Sequence, residues 1–248
     1  MKNPEWITPD WPAPPNVHAL ITTRAGGVSV GPHASLNPAD HVGDEPQAVR
    51  RNREIVRAAL PNDPHWLQQV HSALVHHVSG DALTVPEADA AVSALPNQVC
   101  VVLTADCLPV LFCADDGSEV GAAHAGWRGL AAGILERTVA SMSLPGARLL
   151  AYLGPAIGPR AFEVGPEVRA EFIAADADAA VAFQGVAGSD KYLADLYLLA
   201  RQRLARVGVT RVYGGHFCTY FEPQRFFSYR RDGLTGRMAS LIWLGKTP

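Results

Sequence analysis

The sequence lacks the features that mark membrane, secreted and nucleic-acid-binding proteins. Among its 248 residues, no run approaches the roughly 18 apolar residues of a membrane span. The opening segment, MKNPEWITPDWPAPP, contains no apolar stretch like that of a secretory signal. Twenty-one Lys and Arg against 24 Asp and Glu give a net charge of −3, which argues against a nucleic acid or an anionic membrane as the main partner. We therefore expect a cytoplasmic protein with no nucleic-acid or membrane partner.

The usual motifs of metal-binding folds are also missing. The chain contains no H-E-x-x-H, no C-x-x-C and no H-x-E with P-C-x-x-C, so no standard zinc fold is matched. Its nine histidines include no H-x-H pair, which falls short of the ligands that several copper ions need. The cysteines number only four, and a cytoplasmic setting makes disulfides unnecessary. A metal site would have to be assembled from single residues in separate segments.

Proline and glycine are plentiful, but they form no linker. The 19 Pro and 22 Gly are scattered between apolar segments, and the chain has no internal repeat and no low-complexity stretch. We predict one domain covering residues 1–248, with enough apolar material, 48% of the residues, for a sizeable core. Strand-like and helix-like segments are intermixed, which predicts an α/β fold with mixed sheets and outer helices.

The clearest local pattern is a hairpin within residues 99–124. Three apolar, β-branched runs lie here, and the turn signal Asp-Asp-Gly separates the second run from the third. Counting outward from that turn pairs His124 with Pro109 and Cys107 with Gly126. Because each strand residue rises only about 3.3 Å, the side chains of Cys107 and His124 are expected to meet at the open end of the hairpin.

A third candidate ligand, His71, lies at the end of another short apolar segment. Two imidazoles and one thiolate suit zinc, and three protein ligands leave a fourth tetrahedral position open, as in catalytic zinc sites. Zinc can lower the pKa of water to about 7. The Cys107 thiol and the His124 imidazole could instead form a nucleophile and its general base. Asp89 and Asp106 are candidates for orienting a ligand or moving a proton.

Basic residues next to glycines or aromatic residues are candidates for binding an anion. Paired glycines after Arg24 allow a close backbone approach. Arg128 lies in a glycine-flanked turn that opens a helix predicted to continue to Met142, and the N-terminus of a helix favours negative charge. Arg230 lies in the densest mixture of aromatic and basic residues in the chain. The predicted substrate- and phosphate-binding residues are Arg24, Gly26, Gly27, Arg128 and Arg230.

Motifs spread along almost the whole chain resemble those of one known family. They are TRAGGVS (23–29), HVGD (41–44), QVHS (69–72), ADAAV (88–92), TADCLPV (104–110), HAGWRG (124–129), GPAIGP (154–159), FEVG (162–165) and FFSYRRDGLTGR (226–237). Of these, TADC and HAGWRG are the most specific. The chain is similar to the purine nucleoside phosphorylase and laccase-domain family, which includes the YfiH and DUF152 groups and is also called polyphenol oxidase or peptidoglycan editing factor.

The resemblance implies a four-layer α/β/β/α sandwich, with zinc bound by residues matching His71, Cys107 and His124. It also implies phosphorolysis of adenosine, inosine, guanosine and methylthioadenosine, together with deamination of adenosine. The expected catalytic residues are Cys107, His124, Asp106 and Arg128, and the expected partners are purine nucleosides and phosphate. Two departures stand out, because QVHS replaces the more usual QVHG and the segment L-N-P-A at 36–39 replaces L-N-L-G.

Other functions stay open at this point. A cysteine hydrolase or amidase could use Cys107 and His124, in keeping with the likeness of the fold to a deamidating toxin domain. A non-catalytic role in quality control of cell-wall precursors is a further alternative, which the editing-factor name suggests. Copper-dependent oxidation of phenols ranks last. We expect a monomer or a weak dimer.

Overall fold

The structure is a computed structural model that describes residues 6–80 and 85–245. Its strands are β1 (Val17–Ile21), β2 (Pro64–His65), β3 (Val75–His77), β4 (Ala90–Ser93), β5 (Val99–Thr104), β6 (Leu108–Ala114), β7 (Val120–Ala125), β8 (Leu149–Leu153), β9 (Glu163–Val164), β10 (Phe183–Gly185), β11 (Tyr192–Ala194), β12 (Arg211–Gly214) and β13 (Met238–Leu244). Its α-helices are α1 (Pro46–Arg57), α2 (Trp127–Ala131), α3 (Ile134–Ala140), α4 (Pro166–Ala175), α5 (Leu196–Arg206) and α6 (Tyr229–Asp232). No helix among the described residues has the length and apolar character needed to cross a membrane.

Two mixed sheets form the centre of the fold. The first has the order β1-β13-β5-β2 and the second β12-β8-β6-β7-β4-β3. In each sheet the inner pairs are antiparallel, whereas the pairs β2–β5, β3–β4 and β8–β12 are parallel. A third sheet has three strands in the order β10-β11-β9, and among the described residues these strands do not pair with those of the two central sheets. The prediction of mixed rather than purely parallel sheets is therefore confirmed.

Three hydrophobic clusters show how the layers stack. Cys100, Val102 and Ile242 of the first sheet pack against Leu111 and Ala122 of the second. The outer face of the first sheet packs on α1, and the outer face of the second packs on α2 to α5. The two sheets are thus covered by helices on both outer sides, as the resemblance to an α/β/β/α sandwich implied. Strand β6 is buried along its whole length, which explains its continuous apolar sequence LPVLFCA.

The predicted hairpin is present with the predicted register. Strands β6 and β7 are antiparallel, and Pro109 lies opposite His124. The preceding strand, β5, belongs to the other sheet, so the chain crosses between the sheets at Ala105, Asp106 and Cys107. Asp106 has a φ of 86° at this crossing. The crossing places Cys107 at the end of the space between the two sheets.

The periodicity of apolar residues predicts helices over 126–142 and 192–207, and both differ from the helices observed. The helix expected to continue from Gly126 to Met142 is broken at Gly133, which has a φ of 88° and separates the five-residue α2 from α3. A left-handed residue cannot continue a right-handed helix, and glycine takes that conformation without steric cost. The helix expected over 192–207 begins only at Leu196, because residues 192–194 pair with β9 and β10 as β11. The helix that begins after Gly126 is therefore the five-residue α2.

Candidate metal centre

The side chains of His71, Cys107 and His124 converge at one end of the two sheets. One possible ligand atom from each residue lies within 4.8 Å of the other two. The distance from Cys107 Sγ to His71 Nε2 is 3.9 Å, and the two imidazole rings are 4.7 Å apart in a T-shaped arrangement. His124 is buried, Cys107 is half-buried and His71 is exposed, so the cluster opens towards solvent on one side. The structure thus brings together all three residues expected to bind metal.

Asp89 holds two of these residues in place. Its carboxylate is fully buried and accepts a hydrogen bond from His124 Nδ1 at 2.8 Å. It also accepts the backbone N–H groups of His71 at 3.0 Å and of Ser72 at 2.6 Å. Because His71 has a φ of 59°, these bonds stabilise a left-handed backbone that a residue with a side chain seldom adopts. With Nδ1 donating to Asp89, Nε2 of His124 is the nitrogen left to face Cys107.

Charges within the cluster favour a thiolate next to an imidazolium in the metal-free protein. Burial opposes ionisation of Cys107, but the nearby charge of His124 and hydrogen bonds from His124 and His71 lower its pKa to about 6. Burial likewise opposes protonation of His124, but Cys107 and Asp89 raise its pKa to about 9. The pKa of Asp89 falls to about 2, because hydrogen bonds from His124 and Ser72 outweigh its burial. Two partners therefore stabilise the deprotonated sulfur that a metal ion requires.

Gly126 leaves the space into which the three side chains point. A Cβ atom added at this position would lie 2.9 Å from Cys107 Sγ, 3.0 Å from His71 Cδ2 and 3.5 Å from His124 Nε2. Gly126 has φ −62° and ψ 158°, which any residue can adopt, so the glycine is required by space and not by backbone conformation. The donor set, the common focus and the orienting carboxylate together fit a single zinc ion.

A cavity of about 380 Å³ adjoins the three donors. Its volume lies in the range of small-molecule sites and its walls carry several polar side chains. The lining residues are His41, Gln69, His71, Leu103, Thr104, Ala105, Cys107, His124, Tyr229 and Arg237. Gln69 bonds to both the N–H and the C=O of Leu103, which ties the segment before His71 to strand β5.

The carboxylate of Asp106 bonds to two segments that are distant in sequence. One carboxylate oxygen accepts a hydrogen bond from Thr219 Oγ1 at 2.5 Å, and the other accepts the backbone N–H of Arg230 at 2.6 Å. Asp106 is buried, and its own carbonyl accepts the N–H of Ile157. It therefore anchors three segments around Cys107. Asp89, by contrast, contacts the ligands themselves.

The glycine loop after Arg24 is closed on itself. The N–H of Gly27 donates to Ser35 Oγ, and the N–H of Val28 donates to Asn52 Oδ1. The guanidinium of Arg24 donates to the carbonyls of Ala34 and Pro223 and lies over the ring of Phe227. A Cβ at Gly27 would lie 2.2 Å from Ser35 O, so this glycine serves backbone packing. The N–H groups of Gly27 and Val28 are thus bonded to the protein's own side chains, and neither Gly26 nor Gly27 lines the cavity.

The other two predicted arginines also lie outside the cavity lining. Arg128 is exposed, and its guanidinium lies 4.4 Å from the centroid of the neighbouring Trp127 ring. Arg230 donates to the carbonyl of Glu163 and lies over Phe162. The guanidinium that does line the cavity belongs to Arg237. The sequence analysis did not predict Arg237 as a site residue. The one sequence feature that could have indicated it is its place at the end of the motif FFSYRRDGLTGR.

Comparisons with known proteins show the family of the chain. A profile of the family described as multi-copper polyphenol oxidoreductase laccase matches residues 18–245. The purine nucleoside phosphorylase YfiH from Escherichia coli K12 is 57% identical over 240 residues, covering 96% of this chain and 98% of that protein. A purine nucleoside phosphorylase from Pseudomonas aeruginosa is 56% identical over 239 residues, again covering 96% and 98%. The chain belongs to the laccase-like YfiH family.

Solved structures support the same assignment to the YfiH family. A Neisseria meningitidis protein of the DUF152 group superimposes with a TM-score of 0.95 at 56% identity, covering 99% of this chain and all of that one. YlmD from Geobacillus stearothermophilus superimposes with a TM-score of 0.91 at 31% identity, covering 99% and 98%. The described residues of this YfiH-family chain contain one cluster of three possible metal ligands, which is the one described above.

Ser72 is one of the two departures from the usual motifs of the YfiH family, and the structure shows what it does. Its hydroxyl donates to Asp89 at 2.8 Å and accepts the N–H of Leu74 at 3.1 Å. The serine therefore adds a further bond to the carboxylate that orients His124. In the second departure, the buried Asn37 donates to Ala39 O and to Asp44, so it keeps a structural role in this chain.

Proposed function

We propose that this protein is a zinc-dependent purine nucleoside phosphorylase that uses adenosine, inosine, guanosine and methylthioadenosine and also deaminates adenosine. The observation that carries the proposal is the convergence of His71, Cys107 and His124 on one focus in the wall of a cavity of about 380 Å³. Relatives with more than half of their residues identical bear the name purine nucleoside phosphorylase. This combination supports a small-molecule enzyme more directly than a scaffold in cell-wall quality control.

His71, Cys107 and His124 would hold the metal. Asp89 would orient the imidazole of His124 and hold the backbone of His71. Zinc in such a site acts as a Lewis acid that polarises a substrate oxygen or makes water more acidic. The exposed side of the cluster faces the cavity, where a substrate can approach His71 without displacing the buried His124. Tyr229 lines the same cavity and offers an aromatic ring on which a purine can stack. Phosphorolysis requires phosphate in this space, whereas deamination requires water.

The test combines metal analysis with product analysis. Protein purified without chelator should contain zinc in near-stoichiometric amount, and His71→Ala should lose it. His77→Ala is the matched control, because His77 is an exposed histidine on β3 that is not part of the cluster. Chromatography of adenosine and inosine incubated with and without phosphate should show free base only with phosphate, and ammonia from adenosine in both. Full zinc in His71→Ala would refute the three-ligand site.

A cysteine hydrolase is the second candidate, since Cys107, His124 and Asp89 have the order of a nucleophile, a base and an orienting acid. The arrangement favours metal binding, because a triad has no use for a second imidazole 3.9 Å from the sulfur. Chelation separates the two functions. Activity that survives removal of the metal, together with trapping of Cys107 by iodoacetamide during turnover, would support the hydrolase. Loss of activity on chelation and its return with zinc would support the metal site.

A further inference from the structure

We propose that Arg237 binds the phosphate co-substrate in the cavity beside the metal centre. The identity of the anion rests on the proposed phosphorolysis, whereas the anion site itself rests on the structure. Among the described residues that line the cavity, Arg237 is the only one with a guanidinium, and none of them is an aspartate or a glutamate. Arg237 forms no ion pair with any described residue. The cavity therefore contains a guanidinium that no described carboxylate pairs with directly, and the charges of Cys107 and Asp106 also act on it.

Most of the donor groups of Arg237 are left for a ligand. Only Nη1 bonds within the described part of the protein, to the carbonyls of Thr235 at 2.9 Å and Gly236 at 3.0 Å. No described acceptor bonds to Nε or Nη2, which form one edge of the planar fork. A guanidinium edge can donate two parallel hydrogen bonds to two oxygens of one phosphate. Because the group is partly buried, its unused donors are without full hydration until an anion binds.

The backbone holds Arg237 in a fixed position. Its N–H donates to Oδ1 of the fully buried Asn37 at 3.0 Å. A Cβ at Gly236 would lie 2.7 Å from the ring of Phe227, so the preceding residue is pressed against that ring. The following residue, Met238, begins strand β13 and pairs with Thr104. The two bonds from Nη1 then turn the guanidinium back over its own backbone, so little side-chain entropy is lost when an anion binds.

Pairing of the strands places Arg237 beside Thr104 in the cavity wall. Thr104 also lines the cavity, although its side-chain oxygen is buried and is not exposed to the cavity space. Thr104 and Arg237 are neighbours across the β5–β13 pair, since Thr104 lies opposite the residue that follows Arg237.

The test is the dependence of reaction rate and binding on inorganic phosphate for Arg237→Gln, Arg237→Lys and wild type. Arg51→Gln is the matched control, because Arg51 is an exposed arginine on α1 that pairs with Glu54 and lies outside the cavity lining. The KM for phosphate is measured at saturating inosine, and the Kd for phosphate is measured by titration calorimetry without nucleoside. All four proteins are compared at equal zinc content and after their melting temperatures have been recorded.

We expect Arg237→Gln to raise both the KM and the Kd for phosphate by roughly 10- to 150-fold, which corresponds to the loss of one charge-assisted hydrogen bond. Arg237→Lys should lie between this variant and wild type, because it keeps the charge but not the fork. If Arg237→Gln does not fold, Arg237→Lys alone carries the test. Arg51→Gln should match wild type. In the two Arg237 variants, the KM for inosine should change far less than the KM for phosphate.

The outcomes separate the anion site from the proposed reaction. Wild-type phosphorolysis with an unchanged KM and Kd for phosphate in both Arg237 variants would overturn the assignment and leave the proposed function standing. Phosphate binding that depends on Arg237 in a protein that releases no purine base would support the anion site and refute phosphorolysis. An equal increase in the KM values for phosphate and inosine would make Arg237 a general substrate contact, and would overturn the assignment.

Discussion

Replacing Gly126 by alanine tests whether the three donor residues share one metal ion. The change adds a single methyl group at a backbone conformation that alanine adopts freely, with φ −62° and ψ 158°. The new carbon would lie 2.9 Å from Cys107 Sγ and 3.0 Å from His71 Cδ2. Comfortable contacts between such atoms begin at roughly 3.5 Å. At least one of the two side chains must therefore move by about half an ångström or more.

That displacement is large compared with what a metal site tolerates, because donor distances are held within roughly 0.2 Å. We expect the affinity of Gly126→Ala for zinc to fall by at least the roughly 10- to 100-fold that is typical for loss of an orienting contact. His71 is exposed and can yield, so the protein should still fold. Metal binding and not stability should be the property that changes most.

The assay is competition for zinc between the protein and a chromophoric chelator at fixed pH. Circular dichroism of the metal-free proteins establishes that the folds are equal. Gly185→Ala is the matched control, since a Cβ added at that position has no heavy atom within 4 Å. Wild-type affinity in Gly126→Ala would refute the reasoning, because it would mean that the side chains of His71 and Cys107 do not need the space above Gly126 in order to bind the ion.

Three further changes test the surroundings of the site. Asp89→Asn should lower zinc affinity by about 10- to 100-fold in the same competition assay, because the amide loses the negative charge and, with its oxygen towards His124, turns an NH2 group towards the N–H of Ser72. Unchanged affinity would contradict the orienting role. In metal-free protein, iodoacetamide attacks the thiolate form of Cys107. Because the pKa of this thiol is lowered from an ordinary value of 9 to about 6, its rate of alkylation should rise as the pH is raised through 6. Peptide mapping measures the alkylation. In His124→Gln, the rise in alkylation should occur at higher pH, and zinc should suppress alkylation of the wild type. A rise near pH 9 in the metal-free wild type would contradict the thiolate–imidazolium pair. Tyr197→Phe should reduce the free energy of unfolding by about 1–3 kcal/mol in urea titrations, because the hydroxyl accepts a hydrogen bond from the N–H of Ala156 and donates one to the carbonyl of Gly154. An unchanged urea midpoint would show that these hydrogen bonds make no net contribution to stability.

The hairpin was predictable because its contacts are local. A single turn signal and the alternation of apolar residues set the register of β6 and β7, and with it the pairing of Pro109 with His124. The proximity of Cys107 and His124 follows from that pairing. The types of ligand then point to zinc, since a thiol and imidazoles suit that ion whatever the fold. Motifs spread along the chain identify the family, which the comparisons confirm.

The roles of the carboxylates and arginines could not be predicted from local patterns. Asp89 precedes strand β4 and Asp106 precedes Cys107, and the sequence made both candidates for orienting a ligand or moving a proton. Their roles depend on partners far away in sequence, since Asp89 bonds to His124 and Asp106 bonds to Thr219 and Arg230. Such partners are chosen by the packing of segments more than 30 residues apart, which no local pattern records.

The sequence by itself thus determined the hairpin, the chemical character of the metal ligands and the family. The tertiary structure decided which carboxylate orients the ligands and which guanidinium enters the cavity. Arg237 reaches the cavity because β13 pairs with β5, so that residues 133 positions apart in sequence become neighbours. Arg128, followed by Arg24 and Arg230, was the sequence-based candidate for the anion site, but each of the three lies against an aromatic ring outside the cavity lining. A long, flexible side chain acquires its function from the surface that it meets, and that surface is assembled only when distant strands pair.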